Sequence, residues 1–187
     1  MVTEREKMII GECYNANDRE LVDARQNARR LTKMFNDSLP EEGSKRKRII
    51  EKLFGKTGDK FYIESPFHCD YGFNIEWGEN SYANFDCIIL DCAPVKIGKN
   101  VLIAPNVRIF TATHPIDPRL RLQGVEFAKP VTIEDNVWIG GGTIINPGVT
   151  IGENSVIGSG SVVTKSIPPS VVAAGNPCKV IKNIDHR

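Results

Sequence analysis

The chain of 187 residues holds three histidines, His68, His114 and His186, as its side chains suited to moving protons near neutral pH. With an ordinary pKa of ~6.5, histidine can take a proton from a weakly acidic group near neutral pH as a general base. His186 falls in the terminal tail and His68 in an early stretch of regular repeat. His114 begins His114-Pro115-Ile116-Asp117-Pro118 inside an irregular stretch. His114 is therefore the candidate general base; a loop histidine capping a turn is the other reading of the same residue. Three histidines without paired spacing give no zinc site. Cys13, Cys69, Cys87, Cys92 and Cys178 are scattered and include no Cys-x-x-Cys pair, so they indicate neither a disulfide framework nor a zinc ribbon. None has the flanking His/Asp pattern of a covalent acyl carrier. Gly158-Ser159-Gly160-Ser161 lacks the GxGxxG spacing and following helix of a phosphate loop.

The elements that must hold His114 follow a period of six. Ile97, Ile103 and Ile109 are spaced by six, as are Ile133, Ile139, Ile145, Ile151, Ile157 and Val163, and Gly directly follows Ile97, Ile139, Ile151 and Ile157. A fainter continuation runs back through Ile89-Leu90, Ala83-Asn84, Trp77-Gly78 and Tyr71-Gly72, with a two-residue slip at Cys92-Ala93-Pro94. An aliphatic residue every sixth position points inward, and a small or left-handed-tolerant residue turns the corner after it. On that reading Asn84 is a corner residue. Three hexads close one triangular coil, and coils stack at the strand spacing of ~4.8 Å. The sequence from about 61 to 180 has room for roughly six coils, which predicts a mainly β parallel solenoid. The register breaks after Ile109 and resumes at Ile133. The insertion 110–132, with His114, Arg119, Arg121 and Glu126, should project as a wall of a binding site.

Residues 1–57 read as helical. Leu21, Ala24, Ala28, Leu31 and Phe35 form an amphipathic stripe within Glu12 to Asn36, which Asn17 or Asp18 could cap. After Ser38-Leu39-Pro40, a second helix runs through Ile49, Ile50, Leu53 and Phe54. Lys45-Arg46-Lys47-Arg48 reads as a solvated helix face, because carboxylates flank it and no other basic cluster exists. The expected division is a helical segment 1–57, a solenoid 58–182 carrying the insertion, and a tail 183–187. Net charge is +1 and no apolar run approaches the ~20 residues of a membrane span, so neither nucleic acid nor membrane is an expected partner. The charged start, without an apolar h-region, and the scattered cysteines suggest a reducing, cytoplasmic setting.

The repeat resembles the left-handed parallel β-helix of the hexapeptide-repeat acyltransferases. Within that group the chain resembles the maltose/galactoside O-acetyltransferases, leaning toward the maltose enzymes, along nearly its whole length. The blocks that carry this are Gly11-Glu12-Cys13-Tyr14, Cys69 to Ile75, Tyr82-Ala83-Asn84-Phe85, Ala112 to Asp117, Asn136 to Gly141, Ile145 to Gly152 and Gly175 to Lys179. The resemblance implies an acetyl-CoA-dependent transfer to a sugar hydroxyl, by a homotrimer with sites between adjacent subunits and without a metal. It makes His114 the catalytic base and places Asn84 beside it, against the acceptor. Asp70 and Tyr82 then line the acceptor pocket, with Arg25 and Asp18 as further contacts. Gly141, Ser159, Thr164, Lys165, Lys179 and Lys182 fall where the family holds coenzyme A, and a backbone amide of Gly141 or Gly142 would meet the oxyanion. Galactoside relatives carry a carboxylate near Asp91, where Cys92 stands here. A trimeric scaffold that kept the repeat without the chemistry is the alternative.

Overall fold

The computed structural model describes residues 2–185, so His186 lies outside the described residues. Three helices lead the chain: α1 (Glu4–Ile10), α2 (Arg19–Asn36) and α3 (Gly43–Leu53). The hydrophobic stripe did not reveal α1, which buries only Met8 and is held by a Thr3/Glu6 capping box and a left-handed Gly11. Asp18 caps α2 by accepting the Glu20 N–H. The basic run is not wholly solvated. Lys45, Lys47 and Arg48 are exposed, but Arg46 is buried, its guanidinium 4.3 Å from the Phe35 ring and donating to Ser38 and the Ile63 carbonyl. It ties the helical hairpin to the first coil. No helix among the described residues is long and apolar enough to cross a membrane.

The rest is a left-handed parallel β-helix of about six turns. Its first face stacks Lys56–Thr57, Ile75–Trp77, Val95–Ile97, Val131–Ile133 and Thr150–Ile151. The second stacks Phe61–Ile63, Ser81–Ala83, Leu102–Ile103, Trp138–Ile139, Val156–Ile157 and Val171–Ala174, closed by the antiparallel Lys179–Asn183. The third stacks Phe67–Cys69, Cys87–Leu90, Arg108–Phe110, Ile144–Ile145 and Val162–Val163. The hexad aliphatics pair in register, Ile97 with Ile133 and Ile151, Ile103 with Ile139 and Ile157, Ile109 with Ile145 and Val163. Each row is buried to 4% exposure or less, so the coils share one apolar interior that none could close alone.

Two details of the repeat differ from the sequence reading. Cys69, not Tyr71, stacks on Ile89, so two steps of eight residues occur, Cys69 to Trp77 and Ile89 to Ile97. Both fall at the corner between the third and first faces, which is also where the long insertion leaves. The glycine after each aliphatic, moreover, is not there for a left-handed turn. At Gly98 a Cβ would lie 2.7 Å from the Glu134 carbonyl carbon of the next coil, so close stacking requires the missing side chain. The left-handed residue comes two places later, at Asn80, Asn100, Asn136 and Asn154. Their side-chain amides form a ladder, each donating to the next at 3.3, 2.9 and 3.0 Å. Asn84 itself has no positive φ; Asp86 takes the left-handed position in that turn.

This ladder predicts that Asn136→Ala destabilises the protein by about 2 kcal/mol, combining the left-handed penalty of a Cβ residue with two lost hydrogen bonds. Asn136→Gly should lose less, because it removes only the bonds. Chemical denaturation of the three proteins checks the order, and equal losses for Ala and Gly would deny any role to the backbone conformation.

Candidate active site

The repeated irregularities at one corner build a cleft. From successive coils they bring Asp70 and Tyr71, then Leu90 and Cys92, then Ala112 and His114, to the same edge of the prism. Ala16, Asn17, Arg25 and Arg29 of the helical segment and Glu126 of the insertion complete a volume of about 380 Å³. That is near the lower end for small-molecule sites.

The insertion is folded rather than loose. Ala112–Thr113 pairs antiparallel with Val125–Ala128, which pairs in turn with Tyr14–Asn15. Between them lies a short helix, α4 (Pro118–Arg121), capped by Asp117. Arg121 donates to the carbonyls of Pro115 and Ile116, and Arg119 pairs with Asp117, so these two arginines brace the turn after His114 and do not line the cleft. Tyr14 is 1% exposed and donates its hydroxyl to Glu126 Oε2 at 2.9 Å, fastening the N-terminal segment to the insertion. His114 is exposed at the cleft, and its ring has no hydrogen-bond partner among the described residues.

Below His114 the floor is acidic and tightly wired. Asp91 is fully buried and accepts backbone N–H groups from Asp70 (3.1 Å), Tyr71 (2.9 Å) and Asn74 (3.3 Å). Burial pushes its carboxyl up to about 7 against those donors, and the charge of Asp70 adds to the rise. Asp91 therefore shapes the bulge that presents Asp70 and has no face on the cleft. Asp70 is also raised, chiefly by burial, while Cys92 and Arg25 oppose the rise. Cys92 Sγ donates to Asp70 Oδ2 at 3.5 Å. Arg25 donates to the Tyr71 hydroxyl and the Ala16 carbonyl, both at 2.7 Å, and so holds the cleft wall in place.

The expected site residues thus separate into groups. His114, Asp70 and Arg25 share the cleft. Asp18 caps α2 through Oδ1 and is not among the residues lining the cleft, whereas the neighbouring Asn17 is. Asn84, Gly141 and Ser159 stack at a different edge, the corner between the second and third faces. There Asn84 Oδ1 accepts the Phe85 N–H. The Gly142 amide donates to the Pro105 carbonyl, which removes it as an oxyanion donor, whereas the Gly141 amide has no partner among the described residues. Thr164 and Lys165 are exposed at the same third-to-first edge of the prism as the cleft, two coils beyond the insertion. Lys179 and Lys182 are exposed on the terminal antiparallel strand. Tyr82 faces outward on the second face, its ring 6.2 Å from that of Tyr62. Sequence reasoning missed Tyr14 and Arg29, and it listed Glu126 only as part of the insertion; nothing in the spacing of these residues joins them.

Comparison with known proteins assigns this architecture. The maltose acetyltransferase hexapeptide capping motif matches residues 7–58, and the bacterial transferase hexapeptide (six repeats) matches residues 130–165. A maltose O-acetyltransferase structure from Clostridium difficile 630 is 56% identical, with a TM-score of 0.97 over 98% of each chain. A galactoside acetyltransferase structure in complex with coenzyme A is 45% identical, with a TM-score of 0.95 over 99% of this chain and 92% of its own. The galactoside O-acetyltransferase of Escherichia coli is 47% identical over 182 residues, 97% of this chain and 90% of the relative. With its helical cap, its six-turn solenoid and this likeness along nearly its whole length, the chain belongs to the maltose/galactoside O-acetyltransferase family of hexapeptide-repeat acetyltransferases.

Proposed function

We propose that the protein transfers the acetyl group of acetyl-CoA to a hydroxyl of a maltose- or glucose-type sugar, with His114 as general base, at a site completed by a second copy in a homotrimer. The observation that carries this reading is the division of the site within one chain. The base and the acceptor-side groups lie at one corner of the prism, and Asn84, Gly141 and Ser159 lie at another. A neighbouring prism that set its second-to-third corner against the cleft would supply the missing half. The outward row Tyr62, Tyr82, Leu102 and Trp138 supports such packing: Leu102 and Trp138 are about half exposed, and the row runs continuously along the second face.

In this arrangement Asp70 orients the sugar from a cleft wall that Arg25 holds in place, and His114 takes the proton from its attacking hydroxyl. The unpartnered Gly141 amide of the neighbouring copy donates to the oxygen on which charge develops. Small residues at positions 140–142 and 158–160 leave room along that corner for a pantetheine arm. Lys165, Lys179 and Lys182 offer point charges to the phosphates of coenzyme A. The relative solved with coenzyme A supports this choice of co-substrate.

The test is incubation with acetyl-CoA and a panel of maltose, glucose and galactosides, with acetylated sugar read by mass spectrometry. Five cysteines make a thiol-release colour assay unsuitable. A mass gain on a sugar supports the reading. Acetyl-CoA binding without product on any sugar would move the function to another acceptor or to a non-catalytic scaffold.

A further inference from the structure

Cys92 is a buried nucleophilic group in the cleft for which the acetyl transfer has no use. It is 4% exposed and packs in a small apolar cluster with Met8, Tyr14, Leu21 and Tyr71, apart from the solenoid interior. Its carbonyl is held by Asn74 Nδ2 at 3.4 Å. Burial, together with the carboxylates of Asp70, Asp91 and Glu126, pushes the thiol's pKa up. It stays protonated and acts as a donor, not as a nucleophile.

What it donates to matters. The Asp70 backbone is pinned by Asp91, but the side chain has one protein donor, Cys92 Sγ, on Oδ2. Arg25 is turned away to Tyr71 and Ala16. Oδ1 has no protein partner, and no buried side-chain oxygen among the described residues lacks one, so Oδ1 is open to the cleft.

We propose that Cys92 is a positioning residue that sets acceptor affinity: its thiol fixes Asp70 through Oδ2 and leaves Oδ1 aimed to accept from a hydroxyl of the sugar. The inference rests on the acetyltransferase reading and on Asp70 as an acceptor contact. A carboxylate anchored by one oxygen loses less freedom when it binds a hydroxyl with the other, which lowers the entropic cost of binding. Because the thiol belongs to a cluster built with Met8 and Leu21, the packing of the helical segment also bears on Asp70 through this residue.

Steady-state kinetics would be measured for wild type, Cys92→Ala, Cys92→Ser, Asp70→Asn and the Cys92→Ala/Asp70→Asn double variant, varying sugar and acetyl-CoA in turn. In Cys92→Ala the KM for sugar should rise roughly three- to tenfold, the range of a single charge-assisted hydrogen bond, while the KM for acetyl-CoA stays put. Serine should restore most of the loss, since its hydroxyl can donate to the same oxygen. The double variant should be no worse than Asp70→Asn, because both act through one carboxylate. An unchanged sugar KM in Cys92→Ala overturns the inference. So does a serine variant as impaired as alanine with both KM values shifted, which would mark a packing role. A wild-type protein that acetylates no sugar defeats both this inference and the reading beneath it; an active wild type matched by Cys92→Ala defeats the inference alone.

Discussion

Replacing His114 with alanine should lower kcat by about 10²–10⁴, the usual contribution of a positioned general base. The fold should be untouched. The imidazole is exposed and makes no hydrogen bond within the described chain, so its removal should stay within about 0.5 kcal/mol of wild-type stability. The strands on either side are held by other groups, Ala112–Thr113 by Val125–Ala128 and the following turn by Arg121. Mass spectrometry of the acetylated sugar, beside a melting curve, separates the two effects. If the variant kept activity within a few-fold, the base would lie elsewhere and His114 would be a residue of the loop and no more. Acetyl-CoA binding should survive the substitution, which distinguishes a lost proton acceptor from a lost site.

The second large effect is expected far from His114 in the same chain. If the proposed trimer packs through this face, Trp138→Asp should dissociate it and abolish activity together. Trp138 is 53% exposed in the isolated chain and stacks between Leu102 and Val156 on the outer side of the second face. Covered by another prism, that position becomes apolar and dry, and a carboxylate there would be buried without a partner, at a cost of several kcal/mol per copy. Within the chain it is a surface change, so the β-helix itself should remain. Sedimentation should show the trimer replaced by the single 20.8 kDa chain, with circular dichroism unchanged. A variant still trimeric and active would remove the second face from the interface. An active wild-type monomer would mean that one chain holds a complete site.

The contrast between these two residues reflects what each kind of information can reach. The hexad rows were legible because their cause is local: one aliphatic points inward every sixth residue, and register between coils then follows from the period. The interruption at His114 was legible for the same reason, as a break in a regular pattern. The corner was not. Tyr71-Gly72 imitates the repeat, and this hid the eight-residue step after Cys69. Without that step, nothing shows that three separate irregularities lie above one another. Arg46 looked like any residue of a basic run because its partners, Phe35, Ser38 and Ile63, are distant along the chain. The same holds for Tyr14, whose partner Glu126 is 112 residues away.

By itself, then, the sequence determined the solenoid, its period and the segment that leaves it, because these depend on side-chain size at fixed spacing. Only the tertiary structure decided that Asp91 is a buried scaffold for its neighbours and that Asp18, not Asn17, caps the helix. It alone placed His114 at one corner of the prism and Asn84 and Gly141 at another. The physical reason is that stacking places residues some twenty positions apart side by side, and which ones meet depends on every step in the coils between them.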